Sequence, residues 1–291
     1  MNECEALRLV INQSSANYKK EETVKNKMTY PLPPPSTIIG AIHNACGFTT
    51  YQPMNISIQG NYEALHKKLY RDNTFLTRVE NDRNDLVKMV DKRYISNAHE
   101  IVAIALTKNV NFKSGDKIKV LNPKLYEEYV ECKKIADSQF MTLAQGPMYY
   151  EILDNVHLII HVSADIDVLE EIEKNAYNIK SIGRSEDFID IESVEMVTLK
   201  KPDKCEVESK YSAYIAYENV KGENVLTRLR GTIKGGTVYN LNKNYKIEDS
   251  KRIFKKVKAV YLSDYVVDDF SSCKNLYKDT YNGENLIVNF L

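Results

Sequence analysis

Of the five histidines in this chain, His43 and His99 are the candidates for general acid or base chemistry. With a tyrosine or lysine assisting, either imidazole could transfer protons without a metal. No second histidine is close to His43 in sequence, and its place four residues after Ile39 suits a packed or capping side chain. No catalytic residue is therefore expected. His157 and His161 have the spacing of a helical metal pair, but Val156, Leu158, Ile159, Ile160 and Val162 around them read as a strand, with no third ligand nearby. Cys4, Cys46, Cys132, Cys205 and Cys273 include no Cys-x-x-Cys pair, so they are read as reduced thiols, not a zinc or redox site. Without a carboxylate cluster for metal-assisted hydrolysis, neither metal nor cofactor is expected.

Charge and aromatic rings point to a different chemistry. Lys and Arg total 40 and Asp and Glu total 40, so the whole chain projects no basic field and any nucleic-acid contact must come from local patches. One such patch combines Tyr18 with Lys19, Lys20, Lys25 and Lys27, offset in part by Glu21 and Glu22. Ser36 and Thr37 stand where a helix begins, able either to cap it or to cradle a phosphate. Arg184, after Gly183, can approach a phosphate bidentately or bridge to Glu186 or Asp187. Between residues 67 and 93, Lys67, Lys68, Arg71, Arg78, Arg83, Lys88, Lys92 and Arg93 alternate with acids as a salt-bridged surface would. The run Lys251 to Lys258 has five cations and no acid, and reads as an RNA or acidic-partner contact or as the wet face of a strand. Twenty tyrosines and no tryptophan supply rings for base stacking, for strand faces, or for a protein-binding adaptor.

These residues need elements to hold them, and 291 residues suffice for a large domain with a smaller companion. Ala6 to Ile11 reads as a first strand. The prolines before Ser36 and Gly47 after it bracket a helix opened by Pro35 or Ser36. Met54 to Gln59 alternates at period two, Ile101 to Leu106 and Val156 to Val162 are further strands, Ile166 to Ala176 is a helix, and Phe188 to Leu199 alternates again. Strand, helix, strand, insertion, strand, helix, strand is the order of an α+β, ferredoxin-like domain, the split βαβ arrangement of RNA-recognition modules. The expected organisation is residues 1–200 as this domain, with an insertion over about 61–146, and residues 201–291 as a small β-rich subdomain. No apolar run spans a bilayer and no signal peptide opens the chain, so a cytoplasmic protein without membrane contact is expected.

Two strings carry a resemblance. Thr29-Tyr-Pro-Leu-Pro-Pro-Pro-Ser-Thr-Ile-Ile-Gly-Ala-Ile-His-Asn-Ala-Cys-Gly47 resembles the N-terminal signature of the CRISPR-associated Cas-five family, of the RAMP superfamily, in its type I-B form. Ser181-Ile-Gly-Arg-Ser-Glu-Asp-Phe-Ile189 resembles the glycine-arginine loop before the last strand of that family's first domain. The resemblance implies a non-catalytic subunit of a type I Cascade interference complex that holds the five-prime handle of the CRISPR RNA and caps the backbone filament in antiviral defence. Its implied partners are the CRISPR RNA, the backbone and large subunits, and target DNA indirectly. Its implied RNA contacts are Tyr18, Lys19, Lys20, Lys27, Ser36, Thr37, His43, Asn44, Arg71, Arg78, Arg93, Arg184 and Ser185. In one branch of the family the corresponding protein is itself the nuclease, so the resemblance also implies an alternative, a metal-independent endoribonuclease that processes CRISPR repeat RNA to a cyclic phosphate with His43 or His99 as general acid or base. The insertion is expected to project as a thumb-like hairpin between RNA and the first backbone subunit.

Overall fold

The structure is a computed structural model that describes residues 3–23, 26–76, 87–89, 140–202, 206–222, 225–227, 236–248 and 251–291. The chain divides into two compact units, residues 1–68 with 150–291, and residues 69–149. In the second unit, Val87–Met89 pairs antiparallel with Phe140 to Thr142. The strand expected at Ile101 to Leu106 lies outside the described residues.

The first unit is built on a large antiparallel sheet with few helices. Its strands are β1 (Glu3–Ala16), β2 (Asn55–Asn61), β3 (Phe140–Ser163, entering from the second unit), β4 (Asp190–Lys200), β5 (Ser212–Ala216), β6 (Thr237–Glu248), β7 (Lys251–Leu262), β8 (Leu276–Tyr281) and β9 (Glu284–Asn289). They are ordered β6-β7-β5-β2-β3-β1-β4-β8-β9. Residues beyond 201 thus extend the sheet at both edges: β5, β7 and β6 beside β2, and β8 and β9 beside β4.

Period-two alternation sorts side chains between the two faces. Leu7, Leu9 and Ile11 of β1, Ile56 and Ile58 of β2, and Leu158, Ile160 and Val162 of β3 join one core cluster with Ile38, Ile39 and Ile42 of helix α1 (Pro35–Cys46) and Leu169 and Ile172 of helix α2 (Ile166–Asn175). Each fully buried isoleucine or leucine there contributes about 1.5–3 kcal/mol. Helix α1 starts after the prolines because Pro35 sits at its first position, where no N–H is needed, and ends at Gly47, whose φ of 66° needs no Cβ accommodation. Its punctuation is that read from the sequence.

The opposite face holds an ionic cluster. The register aligns Ser57 with His161, His161 with Arg8, and Arg8 with Glu195. Arg8, 5% exposed in mid-strand, donates to Asp279 of β8 at 2.7 Å and to the Thr280 carbonyl at 3.2 Å, pairs with Glu195, and lies 4.9 Å from the centre of the Tyr281 ring. His161 Nε2 bonds the same Asp279 oxygen at 2.9 Å, and the Asn289 N–H donates to Ser57 Oγ at 3.0 Å. The β8–β9 hairpin is therefore fastened across the back of β2, β3 and β1 by charge as well as by Leu276 and Ile287. Those two belong to a second apolar cluster with Ala213, Ile215, Val260 and Leu262. A three-stranded sheet of Val207–Ser209, Tyr265–Val267 and Val225–Thr227 adds Val207, Val225, Tyr265 and Val267 to that cluster, and Val220, Phe270 and Cys273 complete it.

Candidate nucleic-acid interface

The glycine-arginine loop is locked from within. The Asp187 carboxylate, fully buried, accepts the backbone N–H of Arg184 at 2.8 Å and of Asn17 at 3.0 Å, and the Arg184 guanidinium donates to it through Nη2 at 2.6 Å and Nε at 3.1 Å. Nη1 forms an ion pair with Glu186 at 3.1 Å, and the Tyr150 ring centre lies 5.6 Å from the guanidinium carbon. Gly183 has φ 110°, and a Cβ there would stand 2.7 Å from the Asp187 carboxylate and 3.0 Å from the Asn17 carbonyl, so only glycine lets the loop close. Gln13 donates to the carbonyls of Ile182 and Asp187, both at 3.0 Å. The arginine read from sequence as a phosphate ligand thus has its fork engaged by Asp187, the intramolecular alternative. Arg184→Ala is expected to lower stability by about 3 kcal/mol, because a buried carboxylate loses its countercharge. Urea unfolding of the variant measures this, with Lys19→Ala, at an exposed position, expected within about 0.5 kcal/mol of the parent.

Tyr18 is also internal. It is 1% exposed, its hydroxyl donates to Gln13, and burial followed by the Asp187 charge pushes its pKa far above the ordinary tyrosine value. Its ring is a core member and offers no free face to a base. Lys19 is exposed on the short strand Tyr18–Lys19, which pairs with Thr29–Tyr30, while Lys20 lies over the rings of Tyr30 and Tyr239 at 5.7 and 5.5 Å. The Lys27 carbonyl accepts the Asn17 amide at 3.1 Å. Ser185 is exposed and donates to Glu186 at 3.2 Å. Arg71 falls within the strand Ala64–Leu76. Arg78, Arg93, Lys25 and His99 lie outside the described residues.

The structure does bring Ser36, Thr37 and His43 to one place. They line a cleft of about 630 Å³ between helix α1 and the β6–β7 hairpin. On the helix side the first residues of α1 face it, with Pro34 at the cap position and no side-chain cap, so neither Ser36 nor Thr37 caps the helix as the simplest sequence reading had it. Pro35 has no N–H, and the Thr37 N–H donates to the Pro34 carbonyl at 2.9 Å, so the helix N-terminus offers the cleft its partial positive charge more than a row of open donors. Farther along, His43 stacks on Tyr51 at 5.7 Å and meets Phe48 edge-on at 5.3 Å, and its Nε2 accepts the Gln52 N–H at 3.4 Å. Burial holds its pKa below the ordinary histidine value, which favours the neutral ring. Asn44, next to it, is exposed outside the lining.

The hairpin side supplies the cations. Lys243 donates to Asn55 at 2.7 Å, and burial together with repulsion from Lys255 keeps its pKa below the usual lysine value. Arg252 lies 4.7 Å over the Tyr245 ring, which packs against Phe254 at 5.5 Å. No aspartate or glutamate is among the lining residues. A cleft whose lining carries cations and stackable rings and no carboxylate has the chemistry to neutralise the phosphates and stack the bases of a single strand of nucleic acid. Sequence reading flagged Arg252 within the basic run but missed Lys243, Tyr245 and Tyr51. The signal was there in the alternation of Thr237 to Ile247, which puts Tyr245 on the same face as Arg252, though not the helix that face would meet. Of the same basic run, Lys256 pairs with Glu21 and Lys258 sits 3.7 Å over the Tyr217 ring.

Comparison with known families identifies the class. The model of the family described as CRISPR-associated protein (Cas_Cas5) matches residues 6–260, and the chain belongs to that family. Similar solved structures include a CRISPR protein from Archaeoglobus fulgidus, 12% identical over 98% of this chain and 99% of that one with a TM-score of 0.42. Others are a chain of a CRISPR RNA-guided surveillance complex (9% identity, 90% and 91% coverage, TM-score 0.44) and one of the type III-B Cmr-beta complex bound to cognate target RNA and AMPPnP (12%, 92% and 90%, 0.32). No curated protein matches the chain in sequence. Among the described residues no helix is long and apolar enough to cross a membrane.

Proposed function

We propose that this chain is a non-catalytic subunit of a cytoplasmic type I CRISPR interference complex, holding the five-prime handle of the CRISPR RNA in the cleft between α1 and the β6–β7 hairpin. The acid-free lining of that cleft carries the reading. The four strands β2-β3-β1-β4, with α1 following β1 and α2 following β3, support a ferredoxin-like core of the kind RAMP proteins use for RNA. In this reading the chain caps the backbone filament, meets the backbone and large subunits, and approaches target DNA only through the assembled complex. The insertion over about residues 61–146 acts as the thumb toward the first backbone subunit.

Purified protein is expected to bind an RNA with the repeat-derived handle more tightly than a scrambled strand of the same length, with affinity falling steeply as salt rises. Removing a cation that neutralises one phosphate should flatten the salt slope by about 0.7. Equal affinity for both strands at matched salt removes the handle reading.

A second reading has one observation in its favour. His43, Lys243, Tyr245 and Arg252 line the same cleft, and these are the residue types that metal-independent RNA cleavage uses for proton transfer and charge stabilisation. Site-specific cutting of repeat RNA in the presence of a chelator, abolished in His43→Ala, would establish this reading over the first.

A further inference from the structure

The β6–β7 hairpin changes character along its length. At its base, Tyr239, Leu241, Val257, Ala259 and Tyr261 pack with the main core cluster, and Val260 and Leu262 with the second. Past the bulge between Asn242 and Asn244, no described residue of the arm from 243 to 256 belongs to a core cluster. Large apolar side chains nevertheless continue, with Tyr245 44%, Ile253 51% and Ile247 70% exposed.

The register sorts them. Tyr245 opposes Phe254, Ile247 opposes Arg252, Lys246 opposes Ile253 and Asn244 opposes Lys255. Directly opposed residues share a face and successive ones alternate. Tyr245, Ile247, Arg252 and Phe254 therefore make the wall that lines the cleft, which Asn244 also reaches beside the bulge, and Lys246, Glu248, Ile253 and Lys255 fall on the opposite face, where cations outnumber the one described acid. Whatever occupies the cleft covers one side of the arm only. A two-stranded ribbon is marginal by itself, and exposed branched residues on it favour association with another surface.

We infer that this outer face, Ile253 flanked by Lys246 and Lys255, docks a protein partner that offers an apolar pocket rimmed by carboxylates. Charge complementarity selects that occupant. Neither lysine is paired with a carboxylate among the described residues. An aliphatic side chain between them gains nothing from a phosphate backbone but is well accommodated in a protein pocket. The arm is thus two-sided, with nucleic acid against the cleft wall and protein against its back. This goes beyond the RNA reading and does not depend on it.

The test uses the full chain co-expressed with the other protein subunits of a CRISPR interference complex. With a photoreactive benzoylphenylalanine in place of Ile253, cross-linking is expected to a subunit at a site flanked by Asp or Glu. In RNA-free association measurements with that subunit, Ile253→Glu is expected to weaken binding about tenfold or more. Lys246→Glu should weaken it severalfold and regain affinity when a carboxylate at the mapped site is changed to lysine. Circular dichroism and handle-RNA affinity should stay at parental values in both variants, since neither position is in the core or the cleft. Cross-linking only to RNA or to a second copy of this chain, or association unchanged by Ile253→Glu, overturns the inference. A parent protein that associates as described but binds no RNA removes the RNA reading and leaves the docking surface standing.

Discussion

Replacing Asp279 with alanine is expected to destabilise the folded protein by about 3–5 kcal/mol, as when one partner of a buried ion pair is removed. Asp279 is the common acceptor of Arg8 and His161, whose side chains are 6% and 0% exposed. Its loss strands a buried cation with Glu195, half exposed, as its remaining carboxylate partner. It also leaves the imidazole without its acceptor. Asp279→Asn keeps the shape but not the charge and should fall between the two. The measurement is denaturant unfolding, with the near-ultraviolet signal of the tyrosine-rich sheet as the probe.

The same cluster makes stability depend on acidity. Burial, opposed by the bonds and charge of Asp279, depresses the His161 pKa, so the unfolded chain binds a proton near pH 6.5 that the folded chain refuses. Stability therefore declines as pH falls below about 6.5. For Asp279, burial works upward but is outweighed by hydrogen bonds from His161 and Arg8, leaving the pKa below the ordinary aspartate value of 3.8. Its contribution is present above that value and is lost as pH falls further. Acid unfolding is expected to weaken the protein in two stages, and His161→Gln should remove the first. A flat stability profile between pH 7 and 5 in the parent protein argues against the buried imidazole.

Tyr245→Ala is expected to weaken handle-RNA binding about tenfold, and Tyr245→Ala with Arg252→Ala about a hundredfold, in keeping with about 1–3 kcal/mol for each stacked base and the loss of a cation. Arg252 lies over the Tyr245 ring, so the two form one platform and their effects should not be independent. Both residues are exposed and outside the core clusters, so the midpoint of unfolding should be nearly unchanged. Fluorescence anisotropy with a labelled handle RNA reads the affinity. Parental affinity in the double variant would mean the RNA lies elsewhere on the chain.

Local chemistry was legible in the sequence. Prolines and Gly47 bounded α1 because φ restriction and a missing N–H act within a few residues, a branched apolar run placed β1, and alternation placed β2 and β4 because the two-residue period of a strand is a local property. The apolar residues around His157 and His161 likewise set both on a strand. Two strings sufficed to suggest the family because their glycines, prolines and Arg184 meet backbone demands that few other residues satisfy.

What the sequence left open are pairings between residues far apart in the chain. Nothing near Arg8 announces that a strand 271 residues later will bury it against Asp279. Nothing near Arg184 told apart its two readings, phosphate ligand or intramolecular bridge, until Asp187 was seen holding Asn17 as well. Tyr18 read as a stacking ring because loops are usually exposed, but closure of Gly183 against Asn17 buries it. The cleft itself exists only because β5, β7 and β6 add to the sheet beside β2 and carry Lys243, Tyr245 and Arg252 to helix α1, far earlier in the chain. Sheet order is fixed by which apolar faces are covered together, a property of the whole fold. The sequence determined the elements and the kinds of residue that could hold RNA, and the tertiary structure alone decided which of them face a common groove.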